Sequence, residues 1–397
     1  MKTTNLIAIF LIFTCSTAAW FLLGGSIDRR SNARSDISSQ QVEAGWGPPM
    51  RQMHPIISYR SPTARDGRRK LQPARSDVTV RMAYEPKRKG LLWHRTYLVE
   101  FVGDYVVSNP TPVTQTLFVE FHLPSTETSF YNFSYQLGEG DPSGKAPENG
   151  VLTEAVVLPA GATTPLKVTY QARGTDQWRY AFGDTGRVQQ FRLMMQTDFE
   201  TIDFPAGTGS PTARAREDRG WQLEWFYPDV LDAQAIGMAM PKALNPGPVA
   251  SRIAFYAPVS LLFFFAVLLL LGMRKGVVLH PMHYFFVATG FFAFPLLFAY
   301  LVDHAPLHLS FVIAATTSLV LVVAYTHAVS RGRLTALVIP AQIAYMVLFS
   351  YSFFFDGLTG LVITIGAIIT LALLMTFTAR IDWSRTLQQA PPPIPRT

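Results

Sequence analysis

Two hydrophobic rhythms divide this chain. Between Ile253 and Arg385 the residues are apolar on every side of a helix, and charges cut the run into five pieces. Ile253–Leu271, Met282–Val302, Leu309–Ala328, Leu334–Phe355 and Leu358–Phe377 contain no Asp, Glu, Lys or Arg. A hydrocarbon core of ~30 Å takes ~20 apolar residues of helix, so each piece predicts a membrane crossing. A sixth, Leu6–Gly25, stands at the front. From Asp77 to about Leu231 the period drops to two. Val78, Val80 and Met82 alternate with polar residues, as do Leu117, Val119 and Phe121, then Leu166, Val168 and Tyr170, then Phe191, Leu193 and Met195. That period belongs to strands with one buried face. Breakers such as Ser108-Asn109-Pro110, Gly138-Glu139-Gly140-Asp141-Pro142, Pro159-Ala160-Gly161 and Gly183-Asp184 separate the runs. The pattern predicts an antiparallel sandwich.

Charge then orients the helices. Arg274 and Lys275 follow the second apolar segment, Arg331 and Arg333 the fourth, and Arg380 and Arg385 the sixth, whereas the intervening connectors carry Asp303 and Asp356. Basic residues of short loops stay on the cytoplasmic side. The consistent solution is six helices, both termini in the cytoplasm, and residues 26–252 outside. Of the 34 basic residues 26 lie in that outer region, with 24 of the 27 acids, so it carries only +2 (26 − 24) of the total +7. A pI near 9.5 is therefore no sign of nucleic-acid binding, which needs a compact basic face.

The front segment competes with a cleaved signal peptide, since Ser16-Thr17-Ala18 is a loose small-residue cleavage pattern. The apolar run continues through Leu23, and Trp20 suits an interfacial anchor, so an uncleaved anchor is expected. Cys15 is the lone cysteine. It allows no intramolecular disulfide and is expected to be a buried, inert thiol. Ser26 to about Arg75 is rich in Arg, Ser, Gln and Pro, with few apolar residues. It reads as a linker, in loop or disorder, and its basic clusters (Arg29, Arg30 and Arg34; Arg65, Arg68, Arg69 and Lys70) read as solvated rather than bound to anionic lipid.

Candidate chemistry is sparse. His280 and His283 have a spacing that could hold a metal, but two ligands are too few and Pro281 intervenes; capping and anchoring of a helix start is the expected role. Asp303, His304 and His308 could relay protons, yet they fall in a loop predicted to be wet. The spans hold uncharged polar residues (Thr316, Thr317, Ser318, Gln342, Tyr345, Thr364, Thr370) and three prolines (Pro258, Pro295, Pro340). Such polar residues glue helices, and such prolines bend or unwind them. The outer acids Glu100, Glu120, Asp198, Glu200 and Asp203 read as solvated. Trp178, Trp221 and Trp225 read as sandwich core. No nucleophile elbow, HExxH, phosphate loop or kinase signature occurs.

The stretch Leu279-His280-Pro281-Met282-His283-Tyr284-Phe285-Phe286-Val287 resembles a block of the inner membrane protein CreD family, the cell envelope integrity proteins, in which His-Pro-x-Gln-Tyr opens a membrane helix. An acid-His pair at the far end of that helix, here Asp303-His304, is similar. So is the closing Thr376, Ala379-Arg380-Ile381-Asp382-Trp383. Weaker resemblances are Gly45-Trp46-Gly47, Tyr59 and the basic turn Glu85-Pro86-Lys87-Arg88-Lys89-Gly90. His283 stands where the family has Gln, and Asp-His where Glu-His is usual, which marks a divergent member. The resemblance implies a role in maintaining the bacterial envelope. It implies no enzyme activity and no cofactor, and it assigns no role to His280, Pro281, Tyr284, Asp303, His304, Arg380, Asp382 or Trp383.

The expectation is a mixed membrane protein. An N-terminal transmembrane anchor (1–25) leads to a periplasmic linker (26–76), a β-rich, sandwich-like periplasmic domain (77–250), a five-helix transmembrane bundle (251–387) and a cytoplasmic Pro-rich tail (388–397). The expected partners are the lipid bilayer and a periplasmic or envelope protein, with no nucleic acid. The expected function is non-enzymatic support of envelope integrity by binding or sensing an envelope component. The alternative is a transporter or permease-like subunit for an apolar or lipidic substrate. A transporter calls for a polar cavity near Pro295, Pro340 and Gln342, and a binding protein for a groove on the β domain.

Overall fold

The computed structural model describes residues 3–379 apart from 63, 65–66, 90–91, 184–185, 243, 278 and 356. Two compact units emerge. One is Asp36–Ala243; the other joins Met1–Ser35 to Leu244–Thr397.

A long helix, α1 (Thr3–Trp46), opens the chain. The linker expected over 26–76 is thus helix as far as Trp46, followed by strands. The physical reason is local. Residues 26–46 contain no proline, and Asn32 bonds back to Asp28 at 3.2 Å, one turn earlier. The helix stops where Gly47 takes φ +94° and donates to the Glu43 carbonyl at 2.7 Å. This is the left-handed stop that glycine allows, and Pro48 and Pro49 follow it.

The strands run β1 (Met50–Met53), β2 (Ile56–Arg60), β3 (Arg68–Leu71), β4 (Arg75–Tyr84), β5 (Lys87–Lys89), β6 (Leu92–His94), β7 (Thr96–Ser108) and β8 (Gln115–His122). They continue β9 (Phe130–Leu137), β10 (Val151–Leu158), β11 (Thr163–Thr175), β12 (Gln177–Ala181), β13 (Arg187–Thr197), β14 (Ala213–Glu217), β15 (Gly220–Leu231) and β16 (Ile236–Ala239). A seven-stranded sheet has the order β14-β15-β13-β4-β7-β11-β9. A second has β10-β8-β2-β3, a third β1-β12-β16, and β5-β6 is a separate hairpin. The period-two residues all point inward: every one of the twelve named above is buried. They share one core with Trp178 and Tyr180 of β12 and Met238 of β16. Phe101 stacks on Tyr170 at 4.8 Å within it. The seven-stranded and three-stranded sheets are mixed, because β13 pairs β4, and β1 pairs β12, in parallel, while the four-stranded sheet is antiparallel throughout. Alternation fixes which face is buried and carries no information on strand direction.

The second unit contains α2 (Pro246–Lys275), α3 (Pro281–Leu301), α4 (Leu307–Ser330), α5 (Thr335–Phe354) and α6 (Thr359–Thr378). Proline opens α2 and α3, where its missing N–H costs nothing. Gly276, at φ 64°, ends α2 behind Arg274 and Lys275, which suit the negative end of the helix dipole. Pro258 and Pro295 sit inside continuous helices. Pro340 does not: α5 becomes a π-helix at Ile343–Leu348 and a 3-10 turn at Ser352–Phe354. The rewound stretch follows Pro340 and lies outside the preceding turn, where the proline's missing N–H and ring act.

Large apolar side chains such as Leu262, Leu309, Val312, Leu321, Leu361 and Ile368 face outward. A surface of that kind fits hydrocarbon rather than water. Among the described residues, five helices, α1 to α5, are long and apolar enough to cross a membrane, and Gly360–Thr376 within α6 is a shorter apolar helix. Two expectations about α1 fail. Trp20 is fully buried against Phe292, at 5.8 Å, rather than interfacial. Cys15 is exposed rather than buried. Neither outcome is encoded in composition, because which side of an all-apolar helix faces its neighbours depends on packing.

Candidate functional site

The β domain carries an open groove where β13, β4 and the β14–β15 turn meet. Thr197, Asp198, Glu217, Asp218, Arg219 and Gly220 line a cavity of about 590 Å³. A second, about 320 Å³, shares Thr197 and Asp198 and continues along Arg81, Met82, Ala83, Leu98, Glu100 and Gln196. The floor is made of strand ends. Thr197 accepts from the Trp221 amide at 3.1 Å and donates to the Phe199 carbonyl at 3.3 Å. Asp198 accepts from the Tyr84 amide at 2.8 Å. Arg81 donates to Gln196 at 3.0 Å and lies 3.9 Å from Glu100. Glycine is required at 220, since a Cβ there would stand 1.8 Å from the Thr197 carbonyl oxygen. The walls mix acids, cations and short apolar side chains, which suits a ligand or peptide bearing both charge and apolar surface.

The other outer acids are engaged separately. Glu120 faces Arg68 at 3.5 Å, Glu200 pairs with Arg216 at 2.9 Å, and the Asp203 backbone bridges to Ala239. Only Glu100 and Asp198 of the five line the same groove. The domain also holds a buried histidine that sequence reasoning missed. His54 Nδ1 lies 2.7 Å from the Tyr180 hydroxyl, which lies 3.1 Å from that of Tyr105. Burial among these rings holds the imidazole down to about 3, so it is neutral. A histidine flanked by apolar strand residues is the one signal that could have found it.

Among the apolar helices, the polar side chains bond mainly to backbone carbonyls, of their own helix or of a neighbouring one. Ser318 donates to the Gly290 carbonyl at 2.6 Å, and Gln342 Nε2 to the Ser318 carbonyl at 3.2 Å. Thr370 donates to the Tyr345 hydroxyl at 2.8 Å, and Ser260 to the Tyr345 carbonyl. Close packing accompanies this, since a Cβ on Gly290 would stand 2.6 Å from Val322. Gln342 Oε1 alone in this cluster is buried without a hydrogen-bond partner among the described residues.

His280 caps α3 by accepting from the Met282 amide at 3.3 Å, and Pro281 opens the helix. His283 bonds the Tyr325 hydroxyl at 2.8 Å, and Tyr284 is buried edge-on to Phe265. These residues hold α3 in place, as the capping reading expected. Asp303 lies 3.8 Å from Arg30 of α1, whose guanidinium also lies over Tyr300 at 5.6 Å; His304 is exposed. The two motif ends are therefore at opposite ends of α3 and do not form one site. Arg30–Asp303 was legible in principle, because both fall on the same predicted side of the membrane. Arg380, Asp382 and Trp383 lie outside the described residues.

No curated protein matches the chain. Among solved structures, a Legionella pneumophila protein described as a "putative nutrient binding protein" aligns at 11% identity over 54% of this chain and 76% of its own, with a TM-score of 0.34, too weak to bear on function. The family model described as "Inner membrane protein CreD" matches residues 210–384, the stretch that contains all of α2 to α6. Over those residues the chain is similar to the inner membrane protein CreD family, as the motifs around His280 and Asp303 imply.

Proposed function

We propose that this chain is a non-enzymatic inner-membrane protein supporting cell-envelope integrity, and that its β domain, outside the cytoplasm, binds or senses an envelope component or protein partner in the groove at Thr197 and Asp198. One contrast carries the reading: the β domain has open space lined by charge, whereas the polar side chains among the helices are largely engaged by backbone carbonyls and a few neighbouring side chains. The proposed topology has six helices, both termini cytoplasmic, and 26–252 periplasmic. The basic connectors at 274–275 and 331–333 support it, and so does the pairing of Arg30 with Asp303. Reporter fusions at Gly140 and Gly276 are expected in opposite compartments.

The groove is tested by photo-crosslinking the full chain in native membranes from Leu98 and from Glu217. A discrete adduct shared by both positions, and missing from Val157 on exposed β10, is the expected result. Equal labelling from all three would remove the groove from consideration. A transporter for a lipidic substrate remains the second reading, and the π-helix with its unpartnered Gln342 carbonyl favours it. Substrate flux in proteoliposomes that Gln342→Leu abolishes would decide for it.

A further inference from the structure

We infer that the open side of the β domain, between the free edges of β9 and β10, accepts an extended peptide from a partner protein, which adds to β10 as a further strand and places a lysine or arginine against Glu154 and Tyr135. β9 ends the seven-stranded sheet and β10 the four-stranded one. On β9 the free edge is partly taken, since the Ser143 amide donates to the Tyr135 carbonyl at 2.7 Å. On β10 only the two ends are taken. Val151 and Glu148 exchange backbone bonds at 2.9 Å, and Asn109 donates to the Leu158 carbonyl at 2.9 Å. Between those ends, residues 152–157 bond, among the described residues, to β8 alone. An edge with unpaired N–H and C=O groups is a template for one more strand.

The inner face of this edge is chemically specific. Directly opposed residues share a face, so Glu154 and Val156, opposite Val119 and Leu117, point into the sandwich. On β9, Tyr135 and Leu137, opposite Val168 and Leu166, do the same. Those four partners are fully buried, but Glu154, Val156 and Leu137 are only half-buried. The inner face is thus left uncovered where the two sheets end. Glu154 Oε2 and the Tyr135 hydroxyl are both buried without a hydrogen-bond partner among the described residues. Burial first, and then the Glu154 charge, hold the Tyr135 hydroxyl above its ordinary range, so it stays protonated beside the carboxylate. A buried carboxylate oxygen lacking a donor is costly, and a cation brought by an entering strand supplies the donor. The same charge turns away strands that are wholly apolar or acidic at this point. A segment with one basic residue and, two positions along, an apolar one for Val156 and Leu137 meets both demands.

This site is separate from the groove at Thr197 and Asp198 and does not rest on that groove's ligand. Full-length protein in nanodiscs is titrated with a short fluorescent peptide that alternates threonine and valine and carries lysine at its centre. A twin peptide has norleucine in place of the lysine, and hydrogen exchange on the same samples maps where each binds. A hydrogen bond to a charged group contributes about tenfold or more, so the lysine peptide is expected to bind at least ~10-fold tighter than its twin. Its binding should slow amide exchange in 152–157 and leave β14, at the far end of the seven-stranded sheet, unchanged. Glu154→Gln is expected to remove the preference for lysine while the twin's affinity stays as it was. Tyr135→Phe, which keeps the ring in the core, should weaken the preference and serves where Glu154→Gln does not fold; unchanged exchange in β8 reports the fold of each variant. Equal affinity for the two peptides, no binding of either, or protection that falls outside β10 overturns the inference. So does a lysine preference that survives in both variants.

Discussion

The β domain and the apolar helices bury polar atoms for opposite reasons. In the β domain, water is excluded by aromatic mass: Trp178, Trp225, Tyr97, Tyr105, Tyr170 and Tyr180 are all fully buried. Most of their hydroxyls and ring N–H groups find partners, as in Tyr170 to Gln52 at 2.9 Å and Trp225 to the Gly209 carbonyl at 2.8 Å, while the Trp178 N–H is buried without one among the described residues. Among the helices, the outer surface is as apolar as the interior. Burial of Leu or Phe there gains little from hydrophobic transfer, because lipid is already apolar. Contact is set instead by small residues such as Gly290 and by hydrogen bonds such as those of Ser318 and Gln342. The domain is held by what it hides from water, the bundle by how closely its helices fit.

The sharpest way to break that contrast is to truncate a large apolar side chain in each. Trp225→Ala should cost the β domain about 3–5 kcal/mol through lost burial and the cavity left behind. Leu321→Ala, on an exposed face of α4, should leave stability within ~0.5 kcal/mol. Pulse proteolysis of the full chain in detergent, across a urea series, reads both. Comparable losses would mean that the outward face of α4 is covered rather than facing lipid.

A pH titration separates the two regions next. His54 has a folded-state value near 3 against ~6.5 when unfolded. The unfolded chain therefore binds the extra proton first. The stabilisation is complete above about pH 6.5 and is lost as pH falls from there toward 3. The loss reaches on the order of 4 kcal/mol at the lower limit. His54→Phe should flatten the pH dependence of β-domain unfolding in that window, while helix unfolding stays unchanged. An unaltered slope would mean that His54 is hydrated in solution.

How much of this was legible in the chain follows from the same physics. Alternation named the inward faces of β4, β8, β11 and β13, because water on one side and core on the other leave a period-two trace. It could not pair β13 with β4 in parallel, since direction leaves no such trace. It also missed β1 to β3, whose basic residues such as Arg68 and Arg69 masked them as linker. The spans were legible from length and the absence of charge. Which side of α1 holds Trp20 was not, because an all-apolar helix has no polar face to mark the outside. The groove was invisible for another reason: Thr197, Glu100 and Gly220 are far apart in sequence and meet only through strand order. Gly220 is the exception that carries a local signature, a tight turn after Asp218-Arg219. Gly220→Ala should force β15 away from the Thr197 carbonyl and cost ~1–3 kcal/mol, lowering the unfolding temperature and the crosslinking yield at Glu217 together. Loss of stability with the groove yield unchanged would separate the turn from the site.

The smallest expected effect tests the helical half of the contrast most directly. Gln342 sits just before the π-helix, with Nε2 bonded to the Ser318 carbonyl and Oε1 without a partner. Hydrogen bonds between membrane helices contribute only ~0.6 kcal/mol on average, and a buried amide oxygen with no donor is a standing cost. Gln342→Leu removes both. The two terms oppose each other, so bundle stability in a steric-trap or thermal-unfolding measurement should move by less than ~1 kcal/mol in either direction. A glue role predicts that near-neutral result together with an intact envelope phenotype. A large gain in stability accompanied by loss of the phenotype would mean that the bare carbonyl is held open for use, as π-helical turns often are. The apolar helices would then be the working part of the molecule, and the β domain its accessory.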